Sequence, residues 1–225
     1  MTVRAKICGL STPETVDAAV AGGAAYVGFV FYPPSPRSVK PAEAASLAAR
    51  VPVPVIRVGL LVDEDDESIE AILAACPLDM LQLHGHERPE RVAAIRKRFG
   101  LPVMKAIPIE GPGDATAARP YETVADWLLF DAKPPRAVDG APKPLPGGNA
   151  RSFDWTLLAG LRWKLPWMLS GGLTPENVAE AVRIAGAETV DVSSGVEDLP
   201  GLKNVEKIRR FLETVSTLQI PTKAK

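Results

Sequence analysis

Residues 169–178 read Leu-Ser-Gly-Gly-Leu-Thr-Pro-Glu-Asn-Val, an apolar strand end followed by two glycines and a helix start. Threonine is a favourable N-cap and proline a favourable first helical residue, so the segment predicts a strand, a tight turn and a helix over 175–185. Adjacent glycines let a ligand approach the backbone closely, and the free N–H groups of a helix N-terminus attract anions. The stretch therefore predicts an anion site at the end of a strand.

A second turn of the same kind follows at 190–196, which reads Val-Asp-Val-Ser-Ser-Gly-Val. One such turn is weak evidence, because most glycine turns are plain connections. Two of them, after the last two strands of an alternating chain, lie where a (β/α)₈ barrel binds phosphate. The pair predicts a phosphate site on a barrel.

The rest of the chain alternates between short apolar runs and segments of helical periodicity. Most apolar runs lack in/out alternation, as is typical of buried parallel strands. The expected strands are 3–7, 26–31, 55–61, 80–83, 103–107, 127–130, 167–169 and 189–192. The expected helices are 12–21, 41–50, 66–75, 89–99, 114–125, 154–159, 175–185 and 203–215. This pattern predicts an α/β fold, a (β/α)₈ TIM barrel that forms a single domain over residues 1–225. The competing doubly wound sheet would need a G-x-G-x-x-G motif after a strand, and the sequence has none.

Composition excludes several classes of function. The 26 basic and 27 acidic residues leave a net charge of −1 without a basic stripe, which argues against nucleic acid as a partner. No apolar run approaches the roughly 18 residues of a membrane span. The two cysteines are too few for a secreted disulfide framework, and no signal peptide is visible. We expect a reduced, cytoplasmic protein with no membrane partner.

Two loops after strands are longer than simple connections. Residues 31–40 follow the second strand, and residues 131–152, rich in Pro and Gly, follow the sixth. Both belong to the face where barrel enzymes place their chemistry. We interpret 131–152 as a lid over the active site, and 216–225 as a flexible polar tail.

Cys8 ends the first strand, directly before a capped helix. A thiol near a helix N-terminus can have a lowered pKa, which makes a thiolate available as base or nucleophile. Lys6 is expected to point to the other side of the strand. The alternative is a buried apolar cysteine without a chemical role. Cys76, at a helix end beside a proline, is expected to be structural.

Asp131 ends the sixth strand after four apolar residues. A carboxyl group against an apolar wall is poorly hydrated, which favours its protonated form, as a general acid requires. The alternative is an exposed loop aspartate or one paired with Lys133.

Arg37 lies on a loop that three prolines stiffen, in the sequence Pro-Pro-Ser-Pro-Arg at 33–37. Its planar guanidinium suits a carboxylate or a phosphate. Most loop arginines are merely solvated, so this residue alone is weak evidence.

His84 and His86 are the only histidines in the chain and follow the fourth strand. A His-x-His pair can begin a metal site, but a catalytic zinc site needs three protein ligands. We therefore favour a hydrogen-bonding His84 and a solvated His86, with no metal.

The motifs together identify a family. The segments are Lys-Ile-Cys-Gly (6–9), Gly-Phe-Val-Phe (28–31), Ser-Pro-Arg (35–37), Val-Gly-Leu-Leu-Val-Asp (58–63), Leu-Gln-Leu-His-Gly (81–85), Phe-Asp-Ala-Lys (130–133), the stretch 169–178, and Asp-Val-Ser-Ser-Gly-Val-Glu (191–197). They cover nearly the whole chain in order, and the sequence strongly resembles the phosphoribosylanthranilate isomerases of tryptophan biosynthesis.

The resemblance implies an Amadori rearrangement, without a cofactor, of N-(5-phosphoribosyl)anthranilate to 1-(2-carboxyphenylamino)-1-deoxyribulose 5-phosphate. It implies that Asp131 is the general acid, which protonates the ribose ring oxygen. Cys8 would be the general base, which removes the proton from C2′. Arg37 would hold the anthranilate carboxylate.

The resemblance also implies a binding site around these groups. The phosphate would be held by the backbone amides around Gly171, Gly172, Ser193, Ser194 and Gly195. Further substrate contacts at the mouth of the barrel are expected from Gln82, His84 and Asp191.

The sequence is also compatible with other functions. One is a different phosphate-binding barrel enzyme, an epimerase or a lyase similar to indole-glycerol-phosphate synthase, for which Lys105 is the only clear lysine at a strand end. A second is a non-catalytic barrel that binds a phospho-ligand, and a third is a metal hydrolase. The expected partner is a small phosphosugar-anthranilate substrate, and both monomer and homodimer are compatible with the sequence.

Overall fold

The computed structural model describes residues 2–135 and 145–220. Eight strands form a closed barrel in the order β1 to β8, and every neighbouring pair, including β8 with β1, is parallel. The strands are β1 Arg4–Cys8, β2 Tyr26–Val30, β3 Ile56–Leu61, β4 Met80–Leu83, β5 Val103–Ile109, β6 Trp127–Ala132, β7 Trp167–Leu169 and β8 Thr189–Val192. The predicted (β/α)₈ TIM barrel is confirmed.

Six α-helices connect the strands in the described ranges. They are α1 Pro13–Ala21, α2 Pro41–Ala48, α3 Asp66–Ala75, α4 Pro89–Phe99, α5 Val178–Ala185 and α6 Val205–Thr217. The helices predicted over 114–125 and 154–159 are instead 3₁₀ helices, Asp114–Thr123 and Trp155–Leu158. Pro120 inside the first removes a backbone donor, and the second is too short for α-helical hydrogen bonds to accumulate.

Several helix boundaries differ from the prediction by one to three residues, and two of the differences have structural consequences. Helix α5 begins at Val178 and not at 175, because the Asn177 side chain accepts a hydrogen bond from Thr174 N at 2.8 Å and closes a turn first. Helix α6 continues to Thr217, and Gln219 then forms a bridge with Thr2, so residues 216–220 are not the free tail that was predicted. Residues 221–225 lie outside the described ranges.

The barrel interior is apolar towards its N-terminal end and polar towards its C-terminal end. The apolar layer includes Met80, Leu129 and Met168. Two residues further along each strand stand Gln82, Asp131 and Ser170, all buried. Because side chains two apart in a strand share a face, these polar groups point inward, one layer above the apolar one.

A hairpin that the sequence did not predict follows β8. Strands β9 Glu197–Leu199 and β10 Leu202–Lys203 pair antiparallel before α6. The hairpin approaches the loop after β2, since a Cβ on Gly201 would lie 2.5 Å from the Pro36 carbonyl oxygen. In the described part of the chain, no helix combines the length and apolar character needed to cross a bilayer.

Candidate active site

A cavity of about 480 Å³ opens at the C-terminal end of the barrel. Its lining includes the main chemical candidates from the sequence: Cys8, Arg37, Gln82, His84, Asp131 and Asp191. A second pocket of about 330 Å³ adjoins it and shares Asp131, Ser170, Asp191 and Ser193. The candidate residues therefore form one continuous site with two compartments.

Cys8 is the last residue of β1 and is buried. Burial raises the pKa of its thiol, and the charge of Lys6 acts in the opposite direction without reversing the shift. The lowering of the thiol pKa that was expected from the following helix is not found. The thiol is thus protonated at neutral pH in the absence of a ligand.

Lys6 is fully buried, and the expectation that it points away from Cys8 is wrong. Residues two apart in a strand share a face, so both side chains point into the barrel. The Lys6 ammonium donates a 2.8 Å hydrogen bond to Asp191 Oδ1, and Ser170 Oγ donates to Asp191 Oδ2 at 3.0 Å. Burial disfavours the charged amine, but Asp191 and Cys8 outweigh burial and raise the pKa of Lys6.

Asp131 is the fifth residue of β6 and only 7% exposed. Its Oδ1 accepts a hydrogen bond from the Ala132 N–H at 2.8 Å, and its Oδ2 lies 3.1 Å from His84 Nε2. The alternative pairing with Lys133 does not occur, because Lys133 pairs with Glu110 at 3.0 Å. The carboxyl group lies in the cavity, as the sequence suggested.

The two histidines have different surroundings. His84 is nearly buried, between Gln82 and Asp131. The side chain of His86 is 95% exposed and faces Asp63 at 3.1 Å, as expected of a solvated residue. In residues 2–135 and 145–220, no three His, Cys, Asp or Glu side chains are placed to hold a metal ion.

Arg37 is buried, although loop arginines are usually solvated. Glu197 accepts hydrogen bonds from Arg37 Nε and Nη2, both at 2.7 Å. Lys203 donates to the same carboxylate at 2.5 Å. Sequence reasoning missed Glu197 and Lys203, because nothing local marks a pairing with a residue 160 positions away.

The second compartment is formed by the two glycine turns. Gly171 and Gly172 have φ values of +87° and +63°, a conformation that suits glycine, and they line the pocket with Ser193 and Ser194. Gly195 is not in the lining; it packs so closely against the other turn that a Cβ would lie 1.8 Å from the Leu173 carbonyl oxygen. Backbone groups and small side chains of the two turns form one part of this compartment, as is typical of an anion site, and Arg151, Asp131 and Asp191 also line it.

The end of the 131–152 loop lies over the first compartment. Gly148 O accepts a 3.1 Å hydrogen bond from Arg37 Nη2. A Cβ on Gly147 would lie 2.8 Å from His84 Nε2 and 2.9 Å from Asp131 Oδ2. Residues 136–144 of the predicted lid lie outside the described ranges, and Asp131 and Ala132 belong to β6.

Lys105 does not enter the cavity. It alternates with the inward-facing Met104, and its ammonium is buried against Glu87 at 2.8 Å and the Gly85 carbonyl oxygen at 2.8 Å. This geometry disfavours a lyase in which Lys105 would act on the substrate.

The chain matches a family model over most of its length. The model, described as N-(5'phosphoribosyl)anthranilate (PRA) isomerase, matches residues 5–214. A protein of Paramagnetospirillum magneticum named N-(5'-phosphoribosyl)anthranilate isomerase is 57% identical over 213 residues, 95% of this chain and 97% of the relative. A protein of the same name from Rhodospirillum centenum is 55% identical over 97% of this chain and all of the relative.

Solved structures show the same similarity. The phosphoribosyl anthranilate isomerase of Thermotoga maritima superposes with a TM-score of 0.82 at 36% identity, covering 96% of this chain and 100% of that one. A phosphoribosyl anthranilate isomerase in complex with reduced 1-(o-carboxyphenylamino)-1-deoxyribulose 5-phosphate gives 0.80 at 34% identity, with the same coverage.

Proposed function

The chain belongs to the N-(5'-phosphoribosyl)anthranilate isomerase family, and we propose that Cys8 and Asp131 are the general base and general acid of its reaction. The enzyme catalyses the Amadori rearrangement of N-(5-phosphoribosyl)anthranilate to 1-(2-carboxyphenylamino)-1-deoxyribulose 5-phosphate, in tryptophan biosynthesis. The reaction moves a hydrogen from C2′ to C1′ of the sugar, so it needs an acid and a base and no net redox change.

Asp131 acts first, by protonating the ring oxygen of the ribose. The C1′–O bond then breaks while the anilino nitrogen donates its lone pair, which gives an open-chain Schiff base. His84 and the Ala132 N–H each contact one carboxyl oxygen and fix the group where it lines the cavity. Such fixed orientation supports proton transfer to one atom of the substrate.

Cys8 acts second, by removing the proton from C2′ of the Schiff base. The resulting enolamine tautomerises to the ketone. The cationic Schiff base and the Lys6 ammonium both favour the thiolate, which burial disfavours. Cys8 and Asp131 come from β1 and β6, so they approach the sugar from different sides of the barrel.

Binding energy comes from the two charged ends of the substrate. Arg37 would bind the anthranilate carboxylate in the first compartment, and the glycine turns would bind the phosphate in the second. Gln82 Oε1 is buried without a hydrogen-bond partner in the described part of the chain, and it could accept one from a ribose hydroxyl. Contacts remote from the reacting carbons orient them for proton transfer.

The observation that carries this assignment is the placement of Cys8 and Asp131 in one cavity beside a phosphate-type pocket. The base also needs a compartment that keeps its thiol reduced, and both cysteines are free. We therefore propose a cytoplasmic location as well.

The decisive experiment is isomerase turnover by the purified protein, with phosphoribosylanthranilate generated in situ and its fluorescence loss followed. Without added metal, we expect wild type to be active and Cys8→Ala and Asp131→Asn each to lose roughly a hundredfold or more in kcat. Cys76→Ala is the matched control, because that buried thiol ends α3 and lies away from the cavity. A Cys8→Ala enzyme with nearly normal kcat would remove Cys8 from the mechanism while leaving the reaction intact.

A further inference from the structure

Glu197 is a buried carboxylate that the acid–base mechanism does not use. It is the first residue of β9 and is 8% exposed. Both of its oxygens accept hydrogen bonds from Arg37, and one also accepts from Lys203. A buried carboxylate is costly unless it is paired, so this position requires both cations.

The pairing leaves a defined part of Arg37 for a ligand. Glu197 occupies the edge of the guanidinium formed by Nε and Nη2. The other N–H of Nη2 donates to Gly148 O in the overlying loop, and Nη1 remains beside Gly148. An arginine held in this way presents its remaining donors, the N–H groups of Nη1, in a fixed orientation that suits a ligand carboxylate.

Lys203 extends the contact to the phosphate compartment. Its ammonium donates to the Ser193 carbonyl oxygen at 3.1 Å and to Ser193 Oγ at 3.3 Å. Ser193 lines both compartments. The chain of contacts from Arg37 through Glu197 and Lys203 to Ser193 therefore joins the two ends of the site.

The charges of the cluster also matter. Burial alone would raise the pKa of Glu197, but the hydrogen bonds and charges of Arg37 and Lys203 outweigh burial and lower it. At Lys203 burial outweighs its partners and lowers the pKa of the amine, so the ionised Glu197 is what favours the charged form of Lys203. Without Glu197, two buried cations would repel each other, and Arg37 would lose the partner that orients it.

We propose that Glu197 is a positioning residue that determines specificity for the ring carboxylate of the substrate. It fixes Arg37 for that carboxylate, and Lys203 joins the pair to the turn at Ser193. The proposal rests on the proposed function, because it takes Arg37 as the carboxylate contact.

The test compares two stable ligands by calorimetry on the whole enzyme. One is the reduced reaction product with its ring carboxyl group, and the other is the same amino-sugar alcohol phosphate made from aniline, without the carboxyl group. We expect wild type to bind the carboxylated ligand at least tenfold more tightly, and Glu197→Gln to lose most of that ratio while its Kd for the aniline ligand changes little. Asp198→Asn is the control, since Asp198 is the adjacent, exposed carboxylate and pairs with Lys207.

The double variant Glu197→Gln with Lys203→Met covers the case in which the single variant does not fold, because it removes the unbalanced buried charge. Equal weakening of both ligands in either variant would show a merely structural role and overturn the proposal, as would an unchanged ratio. A wild-type enzyme without any preference would overturn it too. Failure of the proposed function is distinct, because it would appear as absent turnover by wild type.

Discussion

His84 Nε2 lies 3.1 Å from Asp131 Oδ2, and its Nδ1 lies 2.8 Å from the side-chain nitrogen of Gln82. An amide nitrogen only donates, so His84 Nδ1 accepts and the ring proton is assigned to Nε2, which donates to Asp131. The three residues thus form a directed chain of hydrogen bonds that ends on the proposed general acid. We therefore propose that His84 acts through Asp131, as a positioning residue.

Removal of the His84 ring should therefore reduce turnover through Asp131. We expect His84→Ala to lower kcat by about 10- to 100-fold, because the carboxyl group loses the partner of one oxygen. His86→Ala should leave kcat unchanged, since that side chain is 95% exposed. Steady-state kinetics on both variants provide the check, and equal kcat values for the two would contradict the role of His84.

The pH dependence of Cys8 reactivity follows from its burial. Burial raises the thiol pKa above its usual value of about 8.5, so the protonated form persists to higher pH and the thiolate increases as pH rises through the shifted pKa. In a Cys76→Ala background, which leaves Cys8 as the only thiol, alkylation by iodoacetamide should accelerate with pH and have its midpoint above about 8.5. A midpoint near neutral pH would show that the free enzyme already holds a thiolate.

Lys6 provides the control for that titration. Its cation opposes the effect of burial on Cys8, so Lys6→Met should move the alkylation midpoint to still higher pH. Lys6→Arg retains the charge and should move it less. Cys8 stays buried in both variants, so the difference between their alkylation midpoints measures the effect of the Lys6 charge on the Cys8 thiol.

Much of the barrel could be predicted because its strands are buried on both faces and read as continuous apolar runs. Asp131 and Cys8 are candidates from the sequence because each lies at the end of such a run, where barrel chemistry lies, and both line the cavity. The prediction of helix type and helix boundaries was less accurate, because a proline or a side-chain-closed turn competes there with the helical pattern. Pro120 turns the segment after β5 into a 3₁₀ helix, and the Thr174–Asn177 turn delays α5.

The charged interior could not be predicted, because it depends on contacts between distant parts of the chain. Lys6 pairs with a residue 185 positions away, and Arg37 with one 160 positions away. A lysine in an apolar strand suggests exposure until the partner that neutralises it is known. The sequence alone does show that Lys6 and Cys8 are two residues apart in a strand. Residues at that spacing share a face of the strand.

The loop over the first compartment leads to a prediction about water exclusion. Gly147 lies beside Asp131 and Gly148 contacts Arg37, so a shortened loop should no longer cover the Schiff base that we propose to form there. Deletion of residues 137–144 should lower kcat more than about tenfold while Tm changes by no more than about 4 °C. A glycine-serine linker of the same length, as control, should restore turnover. Equal losses of activity and stability would contradict the lid hypothesis.

The two glycine turns, which we propose as the phosphate site, are held together at Gly195, and this gives a prediction for substrate affinity. A Cβ on Gly195 would lie 1.8 Å from the Leu173 carbonyl oxygen, so Gly195→Ala has to push the turns apart and disturb the backbone groups around the phosphate. Overpacking of this kind costs roughly 1–3 kcal/mol of stability, and we expect KM to rise about tenfold or more.

Gly186→Ala is the matched control for Gly195→Ala. Gly186 has a φ of +70° at the end of α5, and a Cβ added there would meet no atom of the described residues within 4 Å. The control should lower Tm through backbone strain of about 1–2 kcal/mol while KM stays unchanged. Thermal unfolding and kinetics on both variants separate the two effects, and a normal KM in Gly195→Ala would exclude the turns as the phosphate site.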